Sequence, residues 1–281
     1  MATINVSLPA DGTTADVADF NTPITTIVSE FNGNIDNANI KSAAAIAGSK
    51  IADNSIDLES KASADSGWRK VTDSWTYASS TTITVPSDAT TKYSVGDKLK
   101  LTNSSTKYFY ITAVASTTLT VSGGSDYTLA NAAITDVYFS KASTPLGFPQ
   151  YFAYTPTYTN FTVGNATVAT RFSMAGKTIN FRGLVTLGST SAMSTGPRVS
   201  LPVTASSTAN TQNGSVLGMG MLNDTGTQSY LSIIEYYSTT ELVLLALTGS
   251  GSVPHSSITS SSPFAWGNTD SFAWNAVYEA A

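Results

Sequence analysis

Residues 95–124, VGDKLKLTNSSTKYFYITAVASTTLTVSGG, carry the pattern that decides the fold. Thr, Val, Ile, Tyr and Phe, which are enriched in β-strands, are concentrated in residues 98–102, 108–115 and 117–122. Gly-Asp precedes the first run, Asn-Ser-Ser separates the first from the second, and Gly-Gly follows the third. These residues form turns, so the stretch predicts consecutive short strands.

The same pattern extends to both sides of this stretch. Further strand-like runs occupy residues 70–77, 81–85 and 134–140. Six short strands in about 70 residues are typical of a small barrel or sandwich. We therefore predict a small β-barrel module at residues 68–142. Residues 143–156 follow with three prolines among aromatic residues, which predicts a rigid, packed connector.

The remaining residues, 157–281, have the composition and turn pattern of a second β-domain. Ala175-Gly176-Lys177 separates two strand-like runs and predicts a hairpin, and Ser238-Thr239-Thr240 predicts another. Residues 271–278 predict a last strand. The fold class is therefore mainly β, with a C-terminal, jelly-roll-like β-sandwich.

A short helix is predicted near the N-terminus. Asn21 or Thr22 can cap it, Pro23 suits its first turn and Gly33 suits its end. Its apolar residues recur at helical spacing, which indicates one face that docks on sister chains or on another protein. We predict docking through Phe20, Ile24, Ile27 and Phe31.

An isoleucine repeat follows the predicted helix. The repeat fits neither a helix nor a strand, because steps of five or six residues leave any single face of either. Its spacers are small or polar and cannot build a core within one chain, so we predict a stalk at residues 35–67 in which several copies of the chain wrap together. The residues are Ile35, Ile40, Ile46, Ile51 and Ile56.

Two other interpretations of this segment stay open. Ile40, Ala44, Ala47 and Ile51 form a thin helical stripe that would still need a partner helix. Alternatively, the segment is a flexible linker.

Composition restricts the class of function. Charged residues make up 12%, about half the usual share, so Ser, Thr and Asn must supply the polar surface. Such a surface is typical of extracellular and virion β-proteins. The net charge is −5 and the basic residues are scattered, which argues against nucleic-acid binding. The sequence contains no signal peptide pattern and no apolar run long enough for membrane insertion.

The residue types needed for catalysis are scarce. The chain has one histidine, His255, and no cysteine, and it lacks a nucleophile elbow, a P-loop and a dinucleotide fingerprint. We therefore predict no catalytic residue, no metal and no cofactor, with His255 solvated in a loop. A glycan depolymerase is a further alternative. Such enzymes use paired carboxylates, and the 19 acidic residues of the chain could supply a pair, although the sequence singles none out.

Aromatic residues near the C-terminus suggest a saccharide site. Phe264, Trp266, Phe272 and Trp274 flank the polar loop of residues 267–270, and aromatic rings can stack on the apolar face of a sugar. Phe272 and Trp274 alternate in a predicted strand and are expected in the core. The candidate receptor-binding residues are Trp266, Asn268 and Asp270.

Three stretches resemble the fibre proteins of tailed bacteriophages. The first lies in residues 3–58 and includes LPADGTTADVADFNTPITTIVSEF; the second is residues 95–149, which begin VGDKLKLTNSS; the third is TVGNATVATRFSMAGKTINFRGLVTLGSTSAM, residues 162–193. The resemblance implies homotrimers with an N-terminal anchor and a C-terminal tip. This chain departs from longer fibres because it lacks an extended shaft.

Together, these observations predict a virion protein that forms a homotrimeric tail fibre. Residues 1–34 would anchor it to other virion proteins of the baseplate, tail or capsid, and residues 157–281 would bind host surface glycan. The alternative of the same build is a head fibre or capsid-decorating protein without specific receptor binding.

Overall fold

A computed structural model describes residues 16–31, 66–208, 215–248 and 255–281. The predicted mainly β fold class is confirmed in these residues. They form one helix and seventeen strands: α1 (Val17–Phe31), β1 (Arg69–Lys70), β2 (Thr76–Ser79), β3 (Thr82–Thr84), β4 (Lys98–Asn103), β5 (Ser105–Ala115), β6 (Thr118–Ser122), β7 (Thr135–Ser140), β8 (Phe152–Ala153), β9 (Tyr158–Thr162), β10 (Thr167–Ala175), β11 (Thr178–Thr186), β12 (Ala192–Ser200), β13 (Val216–Asp224), β14 (Gln228–Tyr236), β15 (Glu241–Leu247), β16 (His255–Ser257) and β17 (Ser271–Glu279).

Helix α1 begins earlier than the sequence predicts. Asp16 is its cap, because Asp16 Oδ1 accepts a hydrogen bond of 2.8 Å from the backbone N–H of Ala18. Pro23 consequently lies in the helix interior rather than in the first turn. The helix ends at Phe31, two residues before Gly33. Helix α1 belongs to one compact unit, and every described residue from 66 onward belongs to a second.

The first sheet has seven strands in the order β1-β7-β4-β5-β6-β3-β2, paired antiparallel. The predicted strand at residues 70–77 is in fact two strands, β1 and β2, at opposite ends of this order. The sheet curls around one core, because Tyr93 contacts residues near both ends. Its ring centroid lies 5.6 Å from that of Trp75 and 5.1 Å from that of Phe139.

A buried asparagine closes one side of this module. Asn103, at the end of β4, is fully buried. Its Nδ2 donates to the carbonyl oxygens of Ala130, Ala132 and Ala133 at 3.1–3.3 Å, and its Oδ1 accepts from the N–H of Ala130 at 2.8 Å. Lys107 Nζ also donates to Oδ1, at 3.2 Å. Asn103 therefore fixes the segment that leads into β7.

The second sheet follows the order β8-β10-β11-β17-β13-β14-β15-β12-β9, with β16 paired to β15. The hairpins predicted around Gly176 and Thr239 are confirmed as β10–β11 and β14–β15. The predicted last strand is confirmed as β17, which lies in the middle of the sheet between β11 and β13.

This sheet folds over its own core, which gives the predicted sandwich-like arrangement. The ring of Phe161, in terminal strand β9, lies 5.2 Å from that of Phe272 in central strand β17. Tyr154 directly follows β8, the strand at the other end of the sheet. Its hydroxyl lies 2.8 Å from Oγ of Ser200, the last residue of β12, and donates to the carbonyl of Leu201 at 3.0 Å. The two ends of the sheet therefore meet across a shared apolar core.

The connector joins the two sheets through aromatic packing. The ring of Tyr110, from β5, lies 5.0 Å from Phe148, 5.3 Å from Phe152 and 6.2 Å from Phe172. Trp68 Nε1 donates to the carbonyl of Leu146 at 2.8 Å. The hydrophobic effect of burying these rings stabilises the contact between the two sheets, which belong to one compact unit.

Candidate functional site

The predicted receptor loop lies between β16 and β17, and Asp270 holds it in shape. Asp270 is buried, with 5% of its surface exposed. Its Oδ1 accepts from the backbone N–H of Thr225 at 3.0 Å, and its Oδ2 accepts from the N–H of Gly267 at 2.6 Å. Both carboxylate oxygens therefore accept backbone hydrogen bonds that hold the loop, and Asp270 exposes little surface to a ligand.

Trp266 and Asn268 remain on the same loop. Trp266 is half-buried, and its ring centroid lies 4.4 Å from that of Phe264 and 6.2 Å from that of Phe272. Its Nε1 is buried and finds no acceptor among the described residues. Asn268 is exposed. The loop therefore offers a partly exposed indole ring beside an amide.

The other aromatic residues of this region are core. Phe272 and Trp274, on the inner face of β17, are buried as the sequence predicts. Phe264 is buried as well and stacks against Tyr230, with ring centroids 5.7 Å apart. These rings support the loop from below but are not available to a ligand.

His255 lies in a strand rather than in the predicted loop. It opens β16, where its register partner on β15 is Leu247. Its Nε2 lies 3.4 Å from Oε1 of Glu235, whose side chain is almost buried. Within the described ranges, no group of three or more histidine, aspartate and glutamate side chains could hold a metal ion.

A buried acid and a buried base adjoin each other at the start of β4. Burial raises the pKa of Asp97 and lowers the pKa of Lys98. Asp97 Oδ2 accepts from the N–H of Ser94 at 2.9 Å and lies 3.8 Å from Lys141 Nζ. Lys98 Nζ lies 5.8 Å from the ring centroids of Tyr110 and Phe148. These contacts give both residues a role in closing the turn and packing the connector.

The predicted docking face is only partly described. Ile24, Ile27 and Val28 of α1 are exposed, with 58%, 39% and 47% of their surfaces accessible. The side chains of Phe20 and Phe31 and the whole isoleucine repeat (Ile35, Ile40, Ile46, Ile51 and Ile56) lie outside the described residues. Among the described helices there is none with the length and apolarity to cross a membrane.

An apolar surface that the sequence did not predict covers the outside of the second sheet. Ala273 on β17 is opposite both Leu184 on β11 and Met221 on β13. Met221 is in turn opposite Leu231 on β14. Directly opposite residues point to the same face, so these side chains form one row across four strands. The exposed apolar side chains here, which we call the outer apolar face, are Leu184, Met219, Met221, Leu231 and Val277, each 45–52% exposed.

The sequence carries one indirect signal for this face, in β15, the strand next to β14. Residues 242–247 are apolar at every position, and β15 alternates buried and half-buried residues along its length. A strand that is apolar on both sides is typical of a sheet covered on both faces. The face itself could not be predicted, because it depends on the register of four strands.

Comparison with family models, curated proteins and solved structures finds no match for this chain.

Proposed function

We propose that this chain is a bacteriophage structural protein, a homotrimeric tail fibre that attaches to the virion through its N-terminal residues and binds host surface glycan through its C-terminal domain. The support is the resemblance of three sequence stretches to phage fibres, the low charge, and the outer apolar face. That face is the observation from the described residues that carries the proposal of self-association.

The outer apolar face supports a second copy of the chain as its partner. Soluble monomers rarely expose contiguous apolar patches above a few hundred Å². Interfaces between permanent subunits are more apolar than ordinary surface. The isoleucine repeat needs other chains to bury its side chains, so both features call for copies of the same protein.

Replacing Met221 with lysine is expected to convert the trimer into monomers. The change puts a charge in the centre of the outer apolar face, where desolvation would be costly if a second copy covers it. Light scattering should give three times the chain mass of 29.3 kDa for the wild type and one chain mass for Met221→Lys. Thr84→Lys, an exposed position on β3 of the first sheet, is the control and should stay trimeric. A monomeric wild type, or a trimeric Met221→Lys, would contradict the interface.

Replacing Trp266 with alanine is expected to lower the binding of labelled trimer to host cells by about tenfold or more, since avidity multiplies the loss at each tip. Asn268→Ala should act in the same direction. Tyr237→Ala removes an exposed aromatic ring elsewhere and should leave binding unchanged. Flow cytometry measures the bound protein, and circular dichroism checks that the variants are folded. Equal binding by wild type and Trp266→Ala would exclude the loop as the receptor site.

A head fibre or capsid-decorating protein is the second candidate. The observation in its favour is that Asp270 is occupied by backbone hydrogen bonds, which leaves the tip loop with only two candidate contact residues. A wild-type trimer that does not bind host cells would favour this role.

The exposed isoleucines of α1 support virion attachment as part of both candidates. Ile24 and Ile27 belong to the predicted docking face and keep more than a third of their surfaces accessible. An apolar helical stripe of this kind is suited to a groove on another virion protein.

A further inference from the structure

Two of the four arginines of the chain are directly opposite each other on the second sheet. Arg171 on β10 and Arg182 on β11 are register partners, and both side chains are exposed on the outer side. Like charges in directly opposite positions on neighbouring strands destabilise a sheet. The pair therefore works against folding unless a negative group lies between the two guanidinium groups.

Within the described part of the chain, neither arginine has an acidic partner. Arg198, in contrast, lies 2.9 Å from Oε2 of Glu241. The chain has 19 acidic residues and a net charge of −5, so acidic partners are not scarce. A pair of arginines that no acidic side chain of the described residues neutralises is suited to an anionic group from a ligand.

The surroundings of the pair are shaped like a binding site. The guanidinium carbon of Arg182 lies 4.4 Å from the ring centroid of Tyr151, whose exposed ring orients it. Asn275 on β17 is opposite Arg182 and adds an exposed amide. A groove of about 620 Å³ runs along these strands, and its walls include both arginines, Asn275 and Leu184. Leu184 is the member of the outer apolar face at the β11 end of its row, so the groove adjoins that face at its edge.

We propose that this groove binds the anionic group, a carboxylate or a phosphate, of an acidic saccharide. Guanidinium groups match the two oxygens of a carboxylate or phosphate in bidentate fashion, and two of them form a clamp. The amide of Asn275 can bond to a sugar hydroxyl. The site is separate from the loop that contains Trp266. The proposal gives the ligand class for binding of host glycan, and its biological role rests on the proposed fibre function.

The first test is calorimetric titration of the full chain at low salt with tetragalacturonate, its methyl ester and inorganic phosphate. Tetragalacturonate should bind and the methyl ester should not. Arg171→Gln and Arg182→Gln should each weaken binding by about tenfold or more, because each removes half of the clamp. Lys177→Gln, on the turn of the same hairpin, removes an equal charge and should change affinity less than about twofold. Binding of phosphate as well would show that the site recognises the shared anion rather than the uronate.

Three results would overturn the proposal: no binding of either anion by the wild type, equal binding by the arginine variants, or loss of the oligomer in those variants. The last would mean that the arginines pair with carboxylates of a second copy. Cell binding separates this proposal from the proposed function. If the wild type binds cells and Arg171→Gln binds equally well, the groove is not a receptor site while the fibre function stands. If the wild type binds tetragalacturonate but no cells, the groove stands and the receptor function fails.

Discussion

Replacing Gly183 with valine is expected to destabilise the β unit by about 3 kcal/mol, the upper end of the usual cost of overpacking a core. Gly183 lies on β11 opposite Trp274 of β17, and the indole ring covers it. A Cβ at this position would lie 2.2 Å from Trp274 Cζ2 and 2.7 Å from Cγ2 of Thr170. Neither neighbour can move freely, because Trp274 is buried against Phe181 and Phe272.

Thermal unfolding should show this loss as a fall in Tm of about 6–12 °C for a unit of this size. Trp274→Ala alone should cost about 3–5 kcal/mol through the cavity it leaves. The double variant Gly183→Val, Trp274→Ala should cost less than the sum of the two, because valine then fills part of that cavity. Ala169→Val, an exposed position on the neighbouring strand, is the control. A Gly183→Val variant as stable as wild type would refute the packing of the ring on the glycine.

Replacing Asn103 with leucine is expected to cost about 4 kcal/mol, since the buried side chain makes several part-buried hydrogen bonds that are lost at once. Leucine has a similar size but cannot bond to the carbonyls of Ala130, Ala132 and Ala133 or to the N–H of Ala130. Each group left unsatisfied in the interior costs about 1–3 kcal/mol, less where water can enter.

Hydrogen exchange can localise this effect. In Asn103→Leu the amides of residues 128–135 should exchange faster than in the wild type, while those of β10 and β11 change only with global stability. Asn180→Leu, at an exposed position of β11, is the matched control and should leave exchange of residues 128–135 unchanged. Unchanged exchange of residues 128–135 in Asn103→Leu would mean that another contact holds this segment.

The strands that the sequence predicted are those with local signals. Gly176 adopts a positive φ of 56° in the turn of β10–β11, which is the conformation that a glycine at a hairpin turn provides. Strands β12 and β13 were missed because they contain residues that normally interrupt strands. β12 includes Gly196 and Pro197 at a register shift against β9, and β13 includes Gly218 and Gly220.

The contacts of Gly218 and Gly220 in the folded sheet explain why glycine occupies both positions. A Cβ on Gly218 would lie 1.9 Å from the carbonyl oxygen of Asn275, and one on Gly220 would lie 2.0 Å from that of Ala273. The close approach of β17 therefore requires glycine at both positions. A pattern read along one strand cannot show a requirement set by its neighbour.

The same limit applies to the candidate sites. Trp266 and Asn268 could be selected from residue type, but the role of Asp270 could not, because its partner Thr225 is 45 positions away in the chain. The outer apolar face and the opposed pair of Arg171 and Arg182 depend on strand register in the same way. Sequence patterns predicted the local elements, and the sites arise from pairings between distant ones.

The central position of β17 has a consequence for protein synthesis. The ribosome makes β17 about 85 residues after β11, its neighbour in the sheet. At about 5–20 residues per second, β11 waits roughly 4–17 s for β17 with one edge unpaired. β13 ends 47 residues before β17 and waits roughly 2–9 s. Free edges of apolar strands are sites of aggregation, and sister chains on one messenger would meet in this state. A nascent-chain chaperone that covers these edges would therefore raise the yield of soluble protein.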